Sequence, residues 1–167
     1  MPHPAFCGAL LRVAGRLRAG AVAGAASAFM LAAAGVQAQA QTRDIVVHAD
    51  ANLRGALEAA NNLFLFENAM RVAVSYATST AQAGEIASGK VGDVFIADVK
   101  AMDFVAERKL VDNNTREDFL GDNAHPEIRY GVAILTSSSN VLASIYVQYL
   151  LSPKATPYFE KEGFVVY

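Results

Sequence analysis

Cysteine is nearly absent from this chain: of 167 residues one is Cys, at position 7, and none is Trp. Thiol catalysis, zinc held by thiolates and iron-sulfur clusters all need more cysteine than that, and so does a disulfide framework. Basic clusters are scarce too. No run of Lys and Arg is longer than Arg108-Lys109, which leaves no electrostatic footprint for gripping the phosphate backbone of a nucleic acid. The bases are also unevenly placed: Arg12, Arg16 and Arg18 precede Gln41 with no acid among them, leaving 11 basic against 16 acidic residues from there onward, a net −5. No G-x-S-x-G elbow, P-loop or H-E-x-x-H pattern occurs. The length allows one domain, or two very small ones.

What the chain has in excess is alanine near its start. Three arginines, an uncharged run of 18 residues from Ala19 to Val36, and small residues at Ala38 and Ala40 form the three parts of a secretory signal peptide. Ala and Gly insert weakly into a bilayer, so a cleaved leader is expected over residues 1–40 rather than a membrane anchor. Cys7 lies ahead of the apolar run and leaves with that leader. The remaining 127 residues, 41–167, are enough to bury a core without disulfides. The expected location is the periplasm.

From Asp44 the pattern alternates short apolar runs with segments of helical period. DIVVHAD reads as a strand, and Leu53, Ala56, Leu57, Ala60, Leu63 and Phe64 recur as one face of a helix. Met70 to Tyr76 is a second strand, followed by a helix from about Ala81 to Ser88 with Gly89 closing it. Val94 to Ile96 centres a third strand, and Val99 to Arg108 a third helix with Met102, Phe104, Val105 and Leu110 inward. The Thr115-Arg116-Glu117-Asp118 pattern predicts a short helix to Leu120 by its cap-type spacing. EIRYGVAIL is a fourth strand, Val141 to Leu151 a helix with Leu142, Ile145, Tyr149 and Leu150 apolar, and Ser152-Pro153 the start of another that ends at Gly163. Helices between strands joined by short connections imply parallel strands with both sheet faces covered.

In such sheets ligands bind beyond the carboxyl ends of the strands. The turns there are Ala49-Asp50-Ala51-Asn52, Ala77-Thr78-Ser79-Thr80 and Ala97-Asp98, each before a helix whose free N–H groups attract an anion. Taken by themselves these hydroxyls favour ordinary helix capping, since Ser and Thr are the preferred caps everywhere. His48 and Asp50 stand two apart on one strand face, a candidate metal or general-base site with His125 as third partner. A lone His-x-Asp supplies no ligand framework, and His125 beside Pro126 suits an exposed turn. Tyr146, Tyr149, Tyr158 and Phe159 have the spacing of packing residues.

The order DIVVHADANLRGALEAA, then VAVSYATSTAQAGEIASGKVGDVFIADVKAMDFVAERKLVD, then RYGVAILTSSS and finally YLLSPKATPYFEKEGFVVY resembles the periplasmic molybdate-binding proteins of ABC importers. The likeness spans nearly all of Asp44 to Tyr167. It implies the type II periplasmic solute-binding fold, an oxyanion ligand, a permease partner in the inner membrane, and no cofactor or catalysis. In that family the first two strand-end turns each present a serine to the anion. Ser79 matches the second of these, Asn52 stands at the first, and Thr78 and Thr80 flank Ser79 as further donors.

Two departures accompany the likeness. The family clamps its ligand between two lobes, whereas here the chain passes from Gly121 to Glu127 with no room for a second, and Tyr130 on the returning strand does not match the second lobe's tyrosine. His48 and Asp50 replace apolar or small residues of the family's turn. A carboxylate about 4 Å from a dianion costs several kcal/mol at an effective dielectric near 20.

The sequence therefore predicts a three-layer α/β/α lobe with a mostly parallel mixed sheet and the second lobe missing. Residues 44–121 form its first half and residues 127–167 return to the same sheet. The expected function is capture of molybdate, tungstate or a similar tetrahedral oxyanion by Ser79, Asn52, Thr78 and Thr80. The alternative is a shortened homologue that has lost capture and acts as an interaction module or is non-functional. An enzyme using His48 and Asp50 is the third and weakest reading. The lobe's uncovered face is expected to drive self-association.

Overall fold

A computed structural model describes residues 44–167. The leader expected over residues 1–40, Cys7 included, lies outside the described residues. The chain runs β1 (Ile45–Asp50), a 3-10 turn (Ala51–Leu53), α1 (Arg54–Asn68), β2 (Val72–Ala77), α2 (Ser79–Ala87), β3 (Val94–Asp98) and α3 (Val99–Glu107). After a second 3-10 turn (Asn113–Thr115) come β4 (Glu117–Asp122), β5 (Arg129–Ile134), α4 (Leu142–Leu150), α5 (Thr156–Lys161) and β6 (Phe164–Val166).

The six strands make one sheet in the order β2-β1-β3-β5-β4-β6. β1 pairs in parallel with β2 and with β3, while β5 is antiparallel to β3 and β4, and β6 is antiparallel to β4. The sheet is mixed, with its parallel pairings confined to the β2-β1-β3 half rather than extending over most of it. Of the returning segment, β5 lies beside β3 in the same sheet as β1. There Val132 and Ala133 are both fully buried, as a strand covered on both faces requires.

Helices cover both faces. Along β1, Ile45, Val47 and Ala49 point to one side, where Leu57 and Phe64 of α1, Tyr146 and Leu150 of α4 and Phe159 of α5 complete the larger core. Phe64 lies edge-on to Tyr146 at 5.2 Å and tilted against Tyr149 at 5.0 Å. The Tyr149 hydroxyl donates to the Ala60 carbonyl at 2.7 Å, so it stays satisfied inside that core. On the opposite face Ala83 and Ile86 of α2 and Met102 and Val105 of α3 pack on Phe95, Ala133 and Leu135. Phe104 and Ile145, expected inside, are half-exposed. Phe104 instead carries the Arg108 guanidinium 3.6 Å above its ring.

One element differs in kind. The helix expected from Thr115 to Leu120 is the strand β4. Thr115 does not cap a helix: its hydroxyl donates to the Asp112 carbonyl at 2.7 Å and accepts the Ile134 N–H at 3.0 Å. Pairing with β5 and β6 and burial of Phe119 and Leu120 outweigh the local capping pattern. Two boundaries also move. α2 starts at Ser79 with Thr78 as its cap, and the last helix starts at Thr156, because residues 151–155 form turns and Pro157 takes the first-turn position that Pro153 was expected to hold.

Candidate functional site

The carboxyl ends of β1, β2 and β3 lie side by side, since β1 is hydrogen-bonded to both neighbours in parallel. Each strand hands its chain to a helical turn within a residue or two, so three helix starts converge on one edge of the sheet. Beside them is a cleft of ≈ 480 Å³ lined by Asp50, Asn52, Asp98, Lys100, Arg129 and Tyr130, among others. This is the crevice expected of an open α/β sheet.

Asp50 organises the edge. It caps the turn that follows β1, its Oδ1 accepting the Asn52 N–H at 2.9 Å. Its Oδ2 accepts the Ser79 N–H at 2.9 Å and also the Ser79 hydroxyl. The Ser79 oxygen in turn accepts the Asp98 N–H at 2.9 Å, and Asp98 caps α3 through the Ala101 N–H at 2.8 Å. A single chain of hydrogen bonds thus ties the three strand ends together. Asp50 is 6% exposed and Ser79 2%. Each bond to the carboxylate is of the charge-assisted kind, stronger than a neutral pair.

The residues singled out from the sequence are distributed as follows. Ser79 sits at the centre of the chain of bonds and Asn52 at its rim, exposed, with its side-chain amide donating to the Tyr130 hydroxyl at 3.3 Å. Thr78 is exposed and accepts the Ala81 N–H at 3.3 Å as an ordinary cap. Thr80 is exposed on the first turn of α2. The structure therefore brings Ser79 and Asn52 together through Asp50, and leaves both threonines outside that contact. Tyr130, though on the returning strand as expected, reaches this edge. Burial raises its hydroxyl pKa above the ordinary tyrosine value, so it stays protonated. Lys100, Glu127 and Arg129, which the sequence had not marked, line the same cleft. Their signal was positional only: Lys100 follows the third strand end and the other two open the fourth strand.

His48 and Asp50 share a strand face but serve different neighbours, and His125 pairs with Asp122 instead of either. The His48 Nε2 donates to the Val91 carbonyl at 2.9 Å, and its Nδ1 is buried without a partner. Burial lowers its pKa. His125 is exposed on the β4–β5 connection, 3.4 Å from Asp122. Burial alone would raise the Asp122 pKa, but the N–H groups of Ala124 and His125 and the imidazole outweigh it and lower it.

Comparison with known proteins fits this architecture. Residues 45–124 match the model of the bacterial extracellular solute-binding protein family. The molybdate-binding protein ModA of Escherichia coli (strain K12) is 36% identical over 102 residues, 60% of this chain and 38% of ModA. The chain thus spans well under half the length of that relative. The substrate-binding domain of a putative molybdenum ABC transporter from Clostridium difficile superposes with a TM-score of 0.65 at 15% identity, covering 72% of this chain and 97% of that one. The Azotobacter vinelandii periplasmic molybdate-binding protein gives 0.66 at 11% identity, covering 73% and 99%. Residues 45–124 are thus similar in sequence to the bacterial extracellular solute-binding proteins, and the described residues are similar in fold to these two solved structures.

Proposed function

We propose that the protein is an exported solute-binding component of an ABC importer, taking molybdate, tungstate or a similar tetrahedral oxyanion in the periplasm and handing it to an inner-membrane permease. The observation that carries this reading is the convergence of the β1 and β2 turns beside a cleft that Asn52 lines, with Ser79 buried behind it and joined to Asn52 through Asp50. Neutral donors on helix starts are the chemistry that holds a desolvated oxyanion. Such a protein binds and releases its ligand unchanged, so no catalytic role is assigned to His48 or Asp50. The proposal includes the self-association expected from the sequence.

A second reading is favoured by one specific contact, the Asp50 carboxylate on Ser79. With those donors engaged, the protein is a shortened homologue that has lost ligand capture and acts as an interaction module. Calorimetry of the purified protein with molybdate and sulfate separates the two. Micromolar molybdate binding supports the importer reading, while no heat at millimolar anion supports the second. Native mass measurement with and without molybdate tests the pairing, which a strictly monomeric protein at high concentration would refute.

A further inference from the structure

We propose that Asp50 is the resident anion of the seat built by the strand ends, and that it determines what the cleft accepts by refusing an external oxyanion. The proposal rests on the second of the two readings above, a homologue without ligand capture, and deepens it: the β1 and β2 turns are an oxyanion seat that is already filled from within. Two backbone N–H groups, of Asn52 and Ser79, and the Ser79 hydroxyl all donate to the two oxygens of this one carboxylate. A carboxylate has the charge and paired oxygens of an oxyanion edge, so it satisfies the same donors. Ser79 has no freedom to turn away, because its oxygen is held by the Asp98 N–H and its proton is thereby aimed at Asp50.

Among the described residues that line the cleft, the acids outnumber the bases. Asp50, Asp98 and Glu127 stand there with Lys100 and Arg129. A dianion entering would meet Asp50 at contact distance with both cations already outnumbered, and like charges in a partly buried site repel strongly. Asp50 also reaches the cleft from the strand end itself, so no loop movement short of breaking the β1 cap removes it.

The test compares the purified full chain with Asp50→Ser and Asp50→Asn, titrated calorimetrically with sodium molybdate and with sulfate. Serine removes the charge and offers a hydroxyl. Asparagine removes the charge but keeps an acceptor for the cap, so it guards against loss of fold, which thermal melting by circular dichroism checks. Each donor returned to an anion is worth about ten- to a hundredfold in affinity. The variants are therefore expected to bind molybdate at least about a hundredfold more tightly than the unaltered protein, and adding Ser79→Ala to Asp50→Ser is expected to abolish the gain. Tight binding by the unaltered protein, with no gain in either variant, would overturn the role of Asp50 and leave the oxyanion seat standing. Absence of binding in all folded forms would overturn both. A measurement needing no variant also decides the matter: the amide resonances of Asn52 and Ser79 in the unaltered protein are expected to stay fixed in millimolar molybdate, and their movement would refute the proposal.

Discussion

His48 makes the stability of this domain fall with acidity in a window above the range where ordinary carboxylates titrate. The ring is 2% exposed, with Nε2–H committed to the Val91 carbonyl at 2.9 Å. That bond fixes the neutral tautomer, leaving Nδ1 bare and buried. Protonating it would bury both a charge and an unpaired N–H, and leaving a buried donor unpaired costs about 1–3 kcal/mol or more when it is charged. Burial is the largest influence and lowers the pKa below 6.5. The Val91 bond raises it, nearby Lys90 lowers it further, and Glu85 and Asp93 raise it, without reversing the direction.

A group with a lowered pKa in the folded state takes up its proton first in the unfolded state. Its contribution to stability is complete above pH 6.5, the unfolded value, and is lost as the pH falls below it. The steepest possible loss is about 1.4 kcal/mol per pH unit for one proton. Urea unfolding between pH 7.5 and pH 5 measures this directly, and His48→Gln supplies the control. Glutamine keeps an amide N–H for the Val91 carbonyl and cannot titrate, so any constant destabilisation it brings drops out of the slope. The unaltered protein is expected to lose stability faster than His48→Gln below pH 6.5, by up to about 1.4 kcal/mol per unit. Parallel curves for the two proteins would refute the reasoning.

Other substitutions test the packing and the hydrogen bonds around the sheet. Asp93→Ala removes the acceptor of the Val46 N–H, the Ser138 hydroxyl and the Asn140 amide, at 2.9, 2.6 and 3.1 Å, and is expected to cost about 3 kcal/mol or more in urea unfolding. Gly92→Ala would place a methyl carbon 2.5 Å from the His48 Nε2, an overlap expected to cost about 1–3 kcal/mol and to lower the melting temperature. Phe64→Ala empties a fully buried site between Tyr146 and Tyr149 and is expected to cost about 3–5 kcal/mol, measured the same way.

Much of this architecture is legible in the sequence, because its strongest signals are local. The strand-helix alternation from β1 to α3 follows from apolar runs and helical spacing, and the cores on the two sheet faces contain nearly all the residues those periods mark. β4 is the exception, and its cause is visible in its register. The pairing with β5 shifts between Asp118 and Leu120, and the consecutive residues Phe119 and Leu120 are both buried. A strand with such a shift shows no clean alternation, so nothing in its six residues competes with the apparent helix cap at Thr115. The strand exists because β5 and β6 pair with it, and that information lies in other segments.

The candidate site divides along the same line. Ser79 could be found from its place after a strand and before a helix, and its donors do point to the strand edge. The partner that takes them was less visible, although a signal was present. An aspartate ending a strand, two residues before the N–H of a tight turn, is a capping residue by ordinary turn chemistry. A capping carboxylate must fold back over its own turn rather than reach out to solvent, and in a parallel sheet the neighbouring strand's turn lies within reach of it. For Asp50 that neighbour is the β2 turn, paired in register through Asp50 and Ala77, which brings the Ser79 N–H to 2.9 Å. A serine placed after one strand and before a helix thus marks where donors are present. Which anion they hold is decided by the residue at the end of the adjacent strand.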